Sequence, residues 1–289
     1  MSTNKYVKIL SQVRQDNDFD YWDRMAYHYW PDSFPSRLET RVVVFLDFLG
    51  VSAAAHSWPH WKNLEFLTLL MLISKMAREL SSSVSSLVLD DDGNIMNDAR
   101  GYIIRSEVIP EVSSFSDCVI ISYELEYSIE RILDDAFQMI SALAGMALMR
   151  GVLVRGGIAF GECYHNFGAV FGKGLIEAYH LESKEAIYPR FLVSEGLVSH
   201  LIDSSVDALS REFFTKEGDF YEFDYINLMV KEAFRDIPAD SLEVWKTRMF
   251  GYIENGLEEA SKAEHLPERR VEKWMWFKTR FETAVRALP

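Results

Sequence analysis

Arg41-Val42-Val43-Val44-Phe45-Leu46-Asp47-Phe48-Leu49-Gly50 is a run of β-branched and apolar residues that meets a carboxylate and then a glycine. The run is short and Gly50 follows at once, so it predicts a strand over residues 41–47 that ends in a tight turn with Asp47 at its end. A second stretch, Phe115-Ser116-Asp117-Cys118-Val119-Ile120-Ile121-Ser122, sets Asp117 beside another buried strand over residues 118–122. Two carboxylates at strand ends point to a divalent-metal site. A hard cation such as Mg²⁺ or Mn²⁺ prefers oxygen, usually takes one or two protein carboxylates, and fills its other positions with water and substrate phosphate. Metal-assisted nucleotide chemistry is therefore the leading reading. Taken singly, either Asp has a plainer role as a helix cap or a solvated turn residue.

Outward from these strands the period changes. Between residues 61 and 80, Leu64, Leu67, Leu70, Met71 and Ile73 recur at three- and four-residue spacing, as in a largely buried helix. The Ser-rich 81–86 and the Asp90-Asp91-Asp92-Gly93-Asn94 cluster predict short strands joined by loops. The triple Asp is not a calcium loop: its carboxylates are adjacent, and Tyr102 stands at position twelve counted from Asp91, where an EF-hand needs Glu. A helix is expected over 128–149, stopped by Gly151, and then a glycine-interrupted strand over 152–161. A Gly-rich hairpin, a helix near 174–183, a strand over 188–193 and a hairpin around Lys216-Glu217-Gly218-Asp219 follow, with two helices from about residue 239. The first 35 or so residues, with Tyr21-Trp22 and Tyr27-His28-Tyr29-Trp30, hold no sustained period. No internal repeat or Pro/Gly/Ser-rich linker divides the chain.

At 289 residues and 48% hydrophobic composition the chain can bury a sizeable core. Its 30 basic and 44 acidic residues give a net charge of −14, which repels nucleic acid and anionic membrane. Neither is expected as a partner. Cys118 and Cys163 lack CxxC spacing, and no signal peptide or apolar run of membrane-spanning length is found, so a reduced, cytoplasmic protein is expected. An anionic nucleotide needs metal ions and a few focused cations to bind such a chain.

Four segments in this order, Phe45-Leu46-Asp47-Phe48-Leu49-Gly50, Phe115-Ser116-Asp117, Arg155-Gly156-Gly157-Ile158-Ala159-Phe160-Gly161, and Phe171-Gly172 through Leu181-Glu182-Ser183, resemble a class III nucleotidyl cyclase domain. The likeness covers roughly residues 41 to 225. The helical tail and Ile187-Tyr188-Pro189-Arg190-Phe191 look most like the bacterial Pycsar pyrimidine cyclases of phage defence.

The resemblance implies an α/β (α+β) fold, with a mixed sheet packed by helices. Its parts are an N-terminal segment (1–40), a cyclase domain (41–235) and a helical C-terminal extension (236–289). It implies that Asp47 and Asp117, with the Phe48 carbonyl, hold two Mn²⁺ or Mg²⁺ ions per active site. Backbone N–H groups from Leu49 and Gly50 to Ser52 would cradle phosphate. Lys216, in the family's Lys-Gly hairpin, would contact the triphosphate; read alone it is an exposed turn lysine. Aligning Phe171-Gly172 with the family's Trp-Gly puts Ile176 at the ribose-positioning Asn and His180 at the transition-state Arg. A protonated His180, Lys173, Arg155 or Arg190 are the candidate replacement cations, each with a plainer ion-pair or surface role.

Ala169 stands where an adenine-reading Asp is expected. Arg41, on the same strand face as Asp47, could donate to uracil carbonyls, although six residues at ~3.3 Å each put them roughly 20 Å apart. The implied activity is conversion of UTP to 3′,5′-cyclic UMP and pyrophosphate by a homodimer, for a separate effector. Cyclic CMP from CTP and an inactive cyclase-like nucleotide sensor are the alternatives.

Overall fold

The computed structural model describes residues 38–56, 58–80, 87–89, 95–96, 102–104, 108–125, 128–166, 168–203, 214–263 and 266–288. The first 35 residues, the Ser-rich 81–86 and the Asp90 to Asn94 turn lie outside them. Among the described residues no helix is long and apolar enough to cross a membrane.

The opening stretch forms β1 (Glu39–Phe48), at the centre of an eight-stranded mixed sheet with β5 (Glu111–Phe115), β6 (Cys118–Glu124), β7 (Val154–Asn166), β8 (Ala169–Gly172), β9 (Phe191–Val193), β10 (Phe214–Glu217) and β11 (Phe220–Phe223). The order is β10-β11-β9-β7-β1-β6-β5, with β8 paired to β7; only β7 and β9 run parallel. The expected short strands before Asp117 are present as a separate antiparallel sheet of β2 (Leu87–Leu89), β3 (Ile95–Met96) and β4 (Tyr102–Ile104).

Alternation along β1 assigns its two faces. Val42, Val44, Leu46 and Phe48 are fully buried in the main core, which α3 (Ile129–Leu148) fills with Ile132, Leu133, Phe137 and Ile140. Ser128 caps that helix, its side chain accepting from Arg131 N–H. The other face carries Arg41, Val43, Phe45 and Asp47. Its apolar middle, Val43 with Ala159 and Cys163, is covered by α4 (Lys173–His180) through Ala178. The α1 turn (Val51–Ala54) and α2 (His60–Leu80) follow β1.

Four elements depart from expectation in extent or type. The strand predicted over 188–193 is only Phe191–Val193: Pro189 has no N–H to give a sheet, and Tyr188 turns away to stack on Trp276, 5.7 Å between centroids and 12° between planes. The helix predicted to about 183 ends at His180 and continues as a π-helical turn, Leu181–Glu185. Two helices, α5 (Glu195–Asp203) and α6 (Tyr225–Asp236), occupy stretches where no helix was predicted. Beyond them α7 (Ala239–Ser261) and α8 (Pro267–Arg286) form the C-terminal extension, packed through Trp245, Trp274, Phe277 and Phe281.

Candidate active site

Antiparallel pairing sets Asp47 between Cys118 on β6 and Arg155 on β7. Asp117 is in the two-residue turn joining β5 to β6, where Ser116 takes φ 55°, a left-handed conformation costly for a non-glycine residue. The turn is tied to the end of β1: Phe48 N–H donates to the Asp117 carbonyl at 2.9 Å. Both carboxylates are thereby placed at the same end of neighbouring strands.

Each carboxylate is oriented. Asp117 Oδ2 accepts from the Ser52 backbone N–H at 3.2 Å and from the Ser52 hydroxyl. Arg155 Nε donates to Asp47 Oδ2 at 3.1 Å, and its Nη1 donates to the Ala186 carbonyl at 3.0 Å. Its Nη2 lies 2.6 Å from Glu182 Oε1, an ion pair outside hydrogen-bond alignment. Glu182, 3% exposed, comes from the π-helical turn. Arg155 thus bridges a strand-end carboxylate and one delivered from the opposite cover.

The three acids titrate differently. Burial pushes Asp47 above the ordinary carboxylate range; Arg155 opposes this and Asp117 adds to it. Burial also acts on Asp117, but hydrogen bonds from Ser52 and Ser116 outweigh it and hold the carboxyl below that range. Glu182 is pushed up to about 7, chiefly by burial, against the pull of Arg155 and with the repulsion of Asp47 and Asp117.

Glu182 therefore keeps its proton in the fold to about pH 7, whereas the unfolded chain loses it near 4.5. That contribution to stability is whole below the unfolded value and falls as pH rises through this window. His165 acts oppositely. Burial, then Arg41, lowers its imidazole to about 4, so its contribution is lost as pH falls from about 6.5 toward 4. The two overlap, and only a difference isolates Glu182. Without metal, Glu182→Gln should melt progressively higher than the parent as pH rises from 5 to 7.5; a pH-independent difference would contradict this assignment.

Among the described residues there is no group of three or more His, Cys, Asp and Glu side chains disposed to hold a metal ion. A hard divalent cation does not need one, because one or two carboxylates suffice when phosphate supplies the rest. Asp47 and Asp117 are the right chemistry: two oxygen donors that repel one another, with the Arg155 guanidinium already acting as a cationic counter-charge on Asp47. The residues present fit Mg²⁺ or Mn²⁺.

The other candidates are dispersed. Phe48 has its side chain in the core, against Phe66. The Leu49 N–H is committed to the Leu153 carbonyl at 2.8 Å, and that of Ser52 to Asp117, so neither is offered to phosphate. Gly50 takes φ 78°, which turns the chain into α1. Arg41 is buried at the other end of the face, with its guanidinium on Ser122, Glu39 and Glu124. His165 joins that cluster between Ser122 and Ser113, and the structure does not bring Arg41 to Asp47. Arg190 lies 3.8 Å from Glu222, which is 2% exposed and also paired with Arg280 of α8.

Lys173 is 84% exposed, 3.6 Å from Glu162. His180 and Ile176 line an open groove of about 530 Å³ on the outer side of α4. Lys216, on β10, lies over the Tyr221 ring of β11; β10 is four strands from β1 and so about 19 Å away at the usual strand spacing.

Two charged residues near the carboxylates had no assigned role in the sequence reading. Glu182 gives no local signal, since a π-turn delivers it. Lys273, on α8, is close enough to Asp47, Glu182 and Arg155 to perturb their electrostatics and be perturbed by them. Its sequence signal is the basic run Arg269-Arg270 three residues before it in an acidic chain.

No family model and no curated protein matches the chain. Among solved structures it is similar to the monomeric guanylyl cyclase domain of the RhoGC fusion protein from the aquatic fungus Blastocladiella emersonii, at 10% identity over 65% of this chain and 95% of that one, TM-score 0.40. It is similar also to the guanylate cyclase domain of RhGC from Catenaria anguillulae in complex with GTP, at 10% identity over 65% of this chain and 98% of that one, TM-score 0.38. A bacterial light-regulated adenylyl cyclase is similar at 13% identity over 68% of this chain and 57% of that one, TM-score 0.34.

Proposed function

We propose that the chain is a pyrimidine nucleotide cyclase that converts UTP to 3′,5′-cyclic UMP and pyrophosphate as a homodimer, making a messenger for a separate effector in defence against phage. The observation that carries the reading is the tie from Phe48 N–H to the Asp117 carbonyl, which holds two oriented carboxylates at one end of neighbouring strands. Asp47 and Asp117 would hold the metal ions. Mg²⁺ or Mn²⁺ held there would lower the pKa of the ribose 3′-hydroxyl and neutralise the triphosphate.

In the reaction a bond forms from the 3′-oxygen to the α-phosphorus, and the bond from that phosphorus to the bridging oxygen of the β-phosphate breaks. Pyrophosphate departs and the hydroxyl proton is lost to water. Arg155 fixes the Asp47 carboxylate and is itself held by Glu182 and the Ala186 carbonyl.

The homodimer is supported by what one chain does not gather: Lys216 is four strands away, and His180 and Ile176 face outward. The pyrimidine reading is supported by the 187–191 segment and the helical tail, which touch one another. Tyr188 stacks on Trp276, and its hydroxyl donates to Glu272 at 2.6 Å. CTP is the second substrate reading, on the same segment.

Incubation with Mn²⁺ and each ribonucleoside triphosphate separately, with products identified by chromatography and mass, tests this directly. Cyclic UMP is expected from UTP. A cyclic product from ATP or GTP alone would overturn the pyrimidine reading, and none from any of the four would overturn the cyclase.

A further inference from the structure

The C-terminal extension closes over the end of β1. Between α7, α8 and the turn after β1 lies a cavity of about 400 Å³, lined by Leu49 and Gly50 on one side and by Arg270 and Lys273 on the other. Its remaining charged residues are neutralised: Glu259 pairs with Lys62 at 2.5 Å, and Lys262 pairs with Glu258. Arg270 and Lys273 differ. One turn apart on α8, they share a face, and among the described residues neither side chain makes a hydrogen bond or ion pair.

Lys273 is half-buried, and burial followed by the Arg155 charge lowers its pKa, while Asp47 and Glu182 pull it up. Its ammonium is thus in electrostatic range of the metal carboxylates. Two half-buried like charges with no ion-paired partner are costly to hold together, and the carboxylates in range of Lys273 do not offset its burial and the Arg155 charge. In a chain of net charge −14 their concentration here is the reverse of the overall field. An anion in the cavity would relieve both costs, and the cavity adjoins the turn that follows Asp47 and Phe48.

We propose that Arg270 and Lys273 bind the terminal phosphates of the nucleoside triphosphate whose α-phosphate lies at Asp47 and Asp117, and hold pyrophosphate as it leaves. This rests on the nucleotide reading of the site. It gives the extension a direct part in substrate binding, alongside the Lys216 that a partner chain would bring. The extension is therefore a wall of the site contributed by the same chain.

Inorganic tripolyphosphate, titrated calorimetrically into the full chain with Mn²⁺, is the test. The parent should bind it. Lys273→Met and Arg270→Met should each weaken binding by at least about tenfold, the size of one charge-assisted hydrogen bond. Lys273→Arg should restore it, and Lys246→Ala, which removes a charge paired with Glu243 on α7, should leave it unchanged. In turnover, KM should rise with less effect on kcat, and melting temperatures without ligand identify any variant that fails to fold. Equal affinity in parent and both Met variants, or no binding by the parent, would overturn the proposal. Lys273-dependent binding with no cyclic product from any nucleotide would uphold the phosphate site and remove the cyclase reading instead.

Discussion

Asp47→Asn and Asp117→Asn should each lower the rate of cyclic nucleotide formation by at least about 10³-fold, or on the order of 4 kcal/mol of transition-state stabilisation. Asparagine keeps an oxygen to accept from Arg155 at position 47 and from Ser52 at position 117, so the local hydrogen bonds persist while the charge is lost. Folding should survive. Asp47 is already pushed toward its neutral form by burial, and removing either charge lessens the repulsion between the pair. Circular dichroism and the melting temperature would verify this. A variant that folds and retains more than a tenth of the parent rate would show that the pair does not hold the catalytic metal.

Gly157→Ala should be strongly damaging. A Cβ there would lie 2.1 Å from the Ala178 carbonyl oxygen and 2.8 Å from Leu181 Cβ. The first obstacle is backbone and cannot swing aside. α4 and the π-helical turn must lift from β7, carrying Glu182 away from Arg155. A loss of about 2–3 kcal/mol is expected for this overpacking. At about 2–4 °C per kcal/mol for a chain of this order, the melting temperature should fall by roughly 5–10 °C. Activity at a permissive temperature should fall as well. Gly251→Ala is the contrast: within α7, with nothing within 4 Å of the added Cβ, it should stabilise by about 0.5–1 kcal/mol. Equal melting temperatures for parent and Gly157→Ala would mean that α4 is not seated on β7 as described.

The elements that carry Asp47 and Asp117 are legible because their signals are local. β1 and β6 are short apolar runs ended by turn residues, and α3 shows a clear helical period behind a capping serine. The mixed sheet packed by helices and the C-terminal helical extension are present as expected. α6 was equally readable: Asp224 caps it, and Tyr225, Ile226, Met229, Val230 and Ala233 recur at helical spacing.

Glu182 has no local signal as a site residue, and the basic run before Lys273 does not say where in the fold it docks. Both arrive by tertiary docking, one on a π-turn over β7 and the other on the last helix, more than 200 residues after Asp47 in the chain. Arg41 illustrates the converse. Strand alternation puts it on the face of Asp47 with Glu39, but its other partners, Glu124 and Ser122, are supplied by pairing with β6 that a one-strand pattern does not reveal.

The most direct test is to count bound Mn²⁺ by electron paramagnetic resonance, with a UTP analogue that resists cyclisation, in the parent and in Asp47→Asn and Asp117→Asn. Two tightly held ions per active site are expected in the parent and fewer in either variant. An unchanged count in both variants, or no protein-dependent Mn²⁺ binding in the parent, would contradict a metal site at this pair.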